Sequence, residues 1–263
     1  RVACRVTAMN RSTYRRKPQA DTPQDPDRWL RDHLNAWVCI ERNSRKGYRR
    51  AWADLRAEGH VINRKRVHRI WREEGLQVRH RRRHRKGKKR STGMITADAM
   101  NVVWAADFQF DWTTGHRRIK IFSMVDEHTR ESLIDLTDDS ITAEDVVAAL
   151  AAVIAVRGLP VALRLDNGPE FIADVLAEYC DKKLEIVFVP PGEPWRNGFI
   201  ESFNSRVRDE CLRQFEFHTL LQARVMIGDW KRGYNEFHRH SSLGYLTPLE
   251  YAGAIVKSCG LRI

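Results

Sequence analysis

The sequence predicts an α/β fold, a mixed sheet flanked by helices, preceded by a small all-helical module. Three observations carry this. Apolar residues recur at helical spacing up to residue 78, with helix caps and a turn glycine between them. Arg79-His-Arg-Arg-Arg-His-Arg-Lys-Gly-Lys-Lys-Arg90 then interrupts the pattern with a stretch that no packed core can use. From Asn101 onward three strand-like segments come first, followed by helix, strand, helix, strand and helix, which argues for a mixed sheet covered by helices.

In the front module, Ser12 or Thr13 caps a short helix, with Val2, Ala3 and Val6 at the end of another. A long helix starts near Asp27, with Trp29, Leu30, Leu34, Trp37, Val38 and Ile40 on or near one apolar stripe. A helix over 48–58, Gly59 at its end, and a second helix capped by Asn63 form a helix-turn-helix pattern. The second helix opens with Arg64, Lys65 and Arg66 and carries Arg69, where a recognition helix meets the major groove; an ordinary αα-hairpin with a solvated basic face reads equally well.

In the back domain, strands are expected over 102–110, 119–125, 132–136, 161–165 and 185–189, with a turn at Thr113-Thr-Gly115 after the first. Thr142 and Asp145 form a capping box for a helix over 142–156, which Gly158-Leu-Pro160 stops. Further helices are expected over 171–181 and 197–213. The domain organisation is therefore 1–78 helical module, 79–98 basic linker, and 99–263 catalytic-sized core ending in a helical tail.

The net charge of +12 over 263 residues hides a strong asymmetry. Residues 1–90 hold 28 Lys+Arg and 9 Asp+Glu, whereas the rest hold 18 and 25. A basic arm on a mildly acidic body points to double-stranded DNA as partner. Within the run, Arg81, Arg82, Arg83, Arg85, Lys86, Lys88, Lys89 and Arg90 are expected to contact phosphates. Membrane binding is excluded as a function class: the longest uncharged apolar run, 146–156, is too short to span a bilayer, and the basic run lacks the bulky apolar residues of a surface-seeking helix. The five cysteines, scattered and without a C-x-x-C pair, imply buried free thiols in a reducing cytoplasm rather than a disulfide framework or zinc site.

Three acids stand out. Asp107 lies mid-strand in VVWAADF, where an unpaired charge is costly. Asp166 ends the apolar strand of LRLDNGPEF, at the edge where open sheets gather their sites. Glu201 lies one turn into the helix that follows PWRNGFI. Singly, each would serve equally well as a cap or surface residue; together they are the hard oxygen donors that Mg²⁺ accepts beside water and phosphate. Among rival acids, Asp111 shares the strand face of Asp107 two residue pairs away, and Asp126-Glu127 reads as a turn. His238-x-His240 has a spacing some metal sites use, but a hydrogen-bonded tail is the favoured reading.

WAADFQFD, LRLDNGPEF and PWRNGFIESFNSRVRDECL resemble the DDE transposases of bacterial insertion sequences, of the insertion-sequence-three type, whose catalytic core is similar to retroviral integrases. KGYRRAWADLRAEGHVINRKRVHRIWREEGL, VDEHTRESL and YNEFHRHSSLGYLTPLEYA extend the resemblance over nearly the whole chain, with His238-Arg239 departing from the family's Arg-Pro before the His of HSSLGY. The resemblance implies a ribonuclease-H-like core in which Asp107, Asp166 and Glu201 are catalytic and hold two Mg²⁺ ions, replaceable by Mn²⁺. It also implies Arg208, on the helix face of Glu201, as a phosphate contact; Asn167 and Asn197 flank the site and would orient carboxylates or DNA. The implied activity is cleavage at the element's 3′ ends and transfer of the freed strands into target DNA. A homo-oligomer on DNA is implied, in the bacterial cytoplasm at the nucleoid. The alternative is a non-catalytic protein that binds the element ends. The Arg1 start carries the expectation of an upstream or fused reading-frame product.

Overall fold

The computed structural model describes residues 25–78, 95–166, 168, 171, 174–181, 183–190 and 197–258. The short helix expected near residues 10–14, the basic run 81–90, Asn167 and the loop after Pro190 lie outside the described residues. The chain divides after Val78 into two compact units.

The first unit contains α1 (Arg28–Cys39), a 3₁₀ turn, α2 (Tyr48–Ala57) and α3 (Arg64–Glu73). Leu30, Leu34, Trp37, Ala51, Leu55, Val67, Ile70 and Trp71 form its core, with the Trp37 and Trp71 rings packed edge-on at 6.0 Å. The apolar stripe is narrower than expected, because Trp29 and Ile40 stay exposed. Gly59 takes φ 93°, a left-handed conformation that lets the chain leave α2, and the Asn63 side chain accepts from the Lys65 N–H at 2.8 Å to start α3.

The second unit is built on a five-stranded sheet of order β3-β2-β1-β4-β5. Its strands are β1 (Val103–Trp112), β2 (Arg118–Asp126), β3 (Leu136–Asp138), β4 (Ala162–Leu165) and β5 (Glu185–Phe188). The first three are antiparallel and β1, β4 and β5 run parallel. Helices α4 (Ala143–Arg157) and α5 (Asp174–Cys180) lie between these later strands in sequence; α6 (Gly198–Val207), α7 (Leu220–Phe237) and α8 (Pro248–Ser258) follow the last. The capping box of Thr142 and Asp145 is present at the start of α4. Among the described residues no helix is long and apolar enough to cross a membrane.

Strand alternation sends side chains to two cores. Trp104, Ala106, Leu163 and Leu165 pack with α4 and α5; Ala105, Ile119 and Ile121 pack with α6 and α7. Asp107 shares the parity of Ala105, and Asp166 that of Arg164, so both belong to the α6 face. Buried Cys180 and Cys211 lie one in each core, and burial pushes their thiols up to about 11 and about 12, out of the reactive range.

Two boundaries depart from the sequence expectation. The third strand is not at 132–136: Ser132 makes only a single bridge to Val125, because Asn235 of α7 takes both its backbone N–H and its carbonyl, each at 2.8 Å. The β1–β2 turn falls at Thr113–Gly115 as expected, with His116 after it in the left-handed region, at φ 59°. The helix expected to run to 213 ends as an α-helix at Val207 and continues as a π-helical turn, Arg208–Leu212, which buries Cys211 and Leu212 with Val207.

Lys231 of α7 is 3% exposed and donates to the carbonyls of Phe122 and Ile134 at 3.0 and 3.2 Å, stitching α7 to the sheet. Burial lowers its pKa to about 8, with Asp135, 3.8 Å away, opposing the shift. The folded state therefore gives up this proton more readily than the unfolded chain. The penalty is fully present below pH 8 and relieved as pH rises toward 10.5. The wild type should gain up to about 3 kcal/mol from this group across that interval. In urea melts at pH 7.5 and 10, Lys231→Met should lack that gain; parallel pH curves would refute it.

Candidate active site

The parallel pairing of β1 with β4 runs Val103↔Ala162, Trp104↔Leu163 and Ala105↔Arg164. Carried two residues further, this register sets Asp107, midway along β1, beside Asp166, just past the carboxyl end of β4. Glu201, in the first turn of α6, is exposed above the same face. Asp107 registers both neighbours: burial, then the charge of Asp166 and, more weakly, that of Glu201 push its carboxyl up to about 6. Two hydrogen bonds oppose the shift, one from the Asn204 side chain at 2.9 Å and one from the Phe108 backbone N–H at 2.8 Å. Asp166 accepts from the Gly168 N–H at 3.1 Å.

Asp107 thus feels both of the other carboxylates through space. Among the described residues, no three His, Cys, Asp or Glu side chains lie close enough to hold a metal ion as they stand. The donor set nevertheless fits Mg²⁺, since it consists of carboxylate oxygens whose mutual repulsion a divalent cation would relieve. The Glu201 side chain, on the surface of α6, is the one with freedom to complete it.

Asn204 was not anticipated. It lies three residues after Glu201 on α6, donates to Asp107, and its carbonyl accepts from Gln109 at 2.7 Å. The helical spacing from Glu201 was the available signal. Ser205 uses its hydroxyl on the Glu201 carbonyl at 2.8 Å. Asn197 is buried just before α6, with its side-chain oxygen unpartnered. Arg208 is exposed at the start of the π-helical turn, while Asp209 pairs with Arg213 and Glu210 with Arg206. Asp111 accepts from the N–H of Trp112, and Asp126 closes the turn after β2 by accepting from His128 and Thr129. His238 is buried 3.5 Å from Glu210 and stacked among Tyr234 and His240.

In the helical unit, the four cations of α3 have different surroundings. Arg66 and Arg69 both pair with buried Asp27, and Arg69 also with Glu73 at 2.8 Å. Arg64 lies 5.9 Å from the Trp52 ring, and Lys65 is exposed.

Two integrase core domain models match residues 97–194 and 182–248, and an HTH-like domain model matches 37–84. A protein of insertion element IS407 from Burkholderia multivorans is 36% identical, covering 96% of this chain and 90% of its own length. An IS476 protein from Xanthomonas euvesicatoria is also 36% identical, over 96% of this chain and 72% of its own length. The chain belongs to the integrase-core transposases of bacterial insertion sequences, of the insertion-sequence-three type. The transposase InsD of element IS2 from Escherichia coli is 29% identical over 78% of this chain and 72% of its own length. The simian T-cell lymphotropic virus intasome structure matches 76% of this transposase and 73% of its own chain, with TM-score 0.50 and 13% identity; that likeness concerns the ribonuclease-H-like fold alone.

Proposed function

We propose that this transposase cuts the 3′ ends of an insertion sequence and joins them to target DNA, with Asp107, Asp166 and Glu201 as its catalytic, metal-binding carboxylates. The observation that carries the reading is the register of β1 against β4, which brings two aspartates side by side within reach of the charge of Glu201.

Mg²⁺, or Mn²⁺ in its place, would supply Lewis-acid chemistry at the scissile phosphate, as two ions held by the three carboxylates. The chain's own residues do the rest. Asn204 and the Phe108 N–H each hold one Asp107 oxygen, which fixes the orientation of the carboxyl. Arg208 places a cation on the Glu201 helix, seven residues on, to hold the phosphate of the DNA end. Asn167 and Asn197, which flank the site in sequence, orient the carboxylates or the DNA. No covalent protein–DNA intermediate is required, so no nucleophilic side chain is assigned.

DNA is held in front by the helical unit and by the cations of 81–90. On α3, Arg64 and Lys65 are the direct contacts, and Arg66 and Arg69 reach DNA only by leaving or sharing Asp27. The protein acts as an oligomer that brings two ends together in the cytoplasm.

The test is strand cleavage and joining on element-end DNA with Mg²⁺ or Mn²⁺. Asp166→Asn should lose both steps while end binding, read by gel shift, stays within a few-fold of wild type. Full activity in that variant would overturn the assignment, and an inactive wild type that still binds its ends would favour an end-binding regulator.

A further inference from the structure

Two motifs outside the acidic triad, VDEHTRESL and YNEFHRHSSLGYLTPLEYA, meet at one cavity of about 320 Å³. Its wall includes Thr96, His128, Arg130, Phe199, Ser242 and Tyr251. Arg130 holds its guanidinium 3.9 Å from the Phe199 ring centre, and its Nη1 is buried with no hydrogen-bond partner. The residue also sits at φ 65°, in the left-handed region that non-glycine residues rarely occupy. Burial lowers its pKa, so its charge is held at an electrostatic cost.

The neighbouring charges relieve this only in part: Glu127 and Asp126 oppose the shift, but neither bonds Nη1. His128 Nδ1 bonds the Ala97 carbonyl at 3.1 Å, and its Nε2 meets the Tyr251 hydroxyl at 3.4 Å. Glu127, also in the wall, pairs with Arg164. A strained backbone and an unmet charged donor in a residue of the cavity wall call for an acceptor from outside. A guanidinium, three hydroxyls and aromatic faces suit an anion with several oxygens and an organic flank.

Phe199 precedes Glu201 by two residues on α6, about 200° around the helix, so the cavity lies on the opposite flank from the triad. A helix with side chains is about 10 Å across. That is roughly three nucleotides at about 3.4 Å rise per strand. We propose that this cavity is a phosphodiester-binding site in which Arg130 grips the DNA backbone about three nucleotides from the reacting phosphate. This rests on the transposase reading for the identity of the DNA, but the test needs no strand chemistry.

The experiment measures binding of the full chain to an element-end duplex across salt concentrations, for wild type, Arg130→Met, Ser242→Glu at the cavity rim, and Ser140→Glu as an exposed control away from it. Arg130→Met should weaken binding about tenfold and flatten the log–log salt slope by about one, and Ser242→Glu should do likewise. Ser140→Glu should keep the wild-type slope. Wild-type slopes in both cavity variants, or equal losses in both serine variants, overturn the proposal; if Arg130→Met does not fold, Ser242→Glu decides by the same criterion. Displacement of the duplex by a short acidic peptide but not by a thymidine dinucleotide would assign the cavity to a protein partner and also overturn it. A chain that binds DNA normally yet cuts none refutes the transposase reading and leaves this result standing; a chain that binds no DNA refutes both.

Discussion

Asp107→Asn is expected to abolish strand cleavage and joining while making the protein more stable above pH 6. The carboxyl is held at about 6 by burial and by the charges of Asp166 and Glu201. A raised acid pKa means that the folded state binds the proton more tightly than the unfolded chain. Stability from this group is therefore present below pH 4 and lost as pH rises through 6. Asparagine carries no charge, so the loss disappears; one acceptor for the Asn204 or Phe108 N–H goes with it. The net gain should be roughly 1–2 kcal/mol at pH 7.5, a shift of a few degrees in melting temperature. At pH 4 wild type and variant should melt together or the variant lower. Activity should fall by a factor on the order of 10³ or more, because a ligand oxygen acting in concert with two others is removed. Added Mg²⁺ should raise the melting temperature of wild type and not of the variant, since only the wild-type cluster gains by binding it. A variant less stable than wild type at pH 7.5 would show that Asp107 is held by its hydrogen bonds more than it is repelled by its neighbours.

The local pattern of the chain was enough to place most elements. Asn63, Thr142 with Asp145, and Gly59 act where their chemistry says they should, because caps and left-handed turns depend on residues a few positions apart. The aspartates were legible because each ends or interrupts an apolar strand, although their adjacency depends on a β1–β4 register that only the folded sheet reveals. What escaped depends on distant partners. Asn235 draws Ser132 out of β3 from 103 residues away. Asp27 engages Arg66 from 39 residues away, so α3 looks more available to DNA in sequence than it is. Arg130 reads as one more surface cation in a basic protein until its strained backbone and buried nitrogen are seen together.

Glu127→Gln is expected to be among the most destabilising single changes in the sheet unit, by about 3–5 kcal/mol. Glu127 and Arg164 are each 1% exposed and paired to one another, and Arg164 also donates to the Ile95 carbonyl at 2.9 Å. Glu127 follows β2 and hands its N–H to the Val103 carbonyl at 3.0 Å, so the pair ties the end of β2 and the start of β1 to β4. Burial raises the Glu127 pKa against the pull of Arg164. The pair is therefore costly to bury, and much costlier to break, because glutamine leaves an uncompensated guanidinium inside the sheet. Arg164→Met strands the glutamate instead, but that side chain can take up a proton, so its loss should be smaller near pH 5 than at pH 8. The double variant Glu127→Leu/Arg164→Met removes both charges and should recover most of the stability, giving a coupling energy of about 2–4 kcal/mol in urea unfolding of the sheet unit. Arg164 stands two residues before Asp166 on the same strand face, so this recovery has a consequence for the site. If the pair serves only stability, the apolar double variant should cleave DNA like wild type. If it holds the β1–β4 edge on which Asp107 and Asp166 are aligned, the double variant will be stable and slow, with kcat reduced and DNA affinity unchanged. The register argument predicts the second outcome; wild-type kcat in a stable double variant would reduce the pair to a structural clamp.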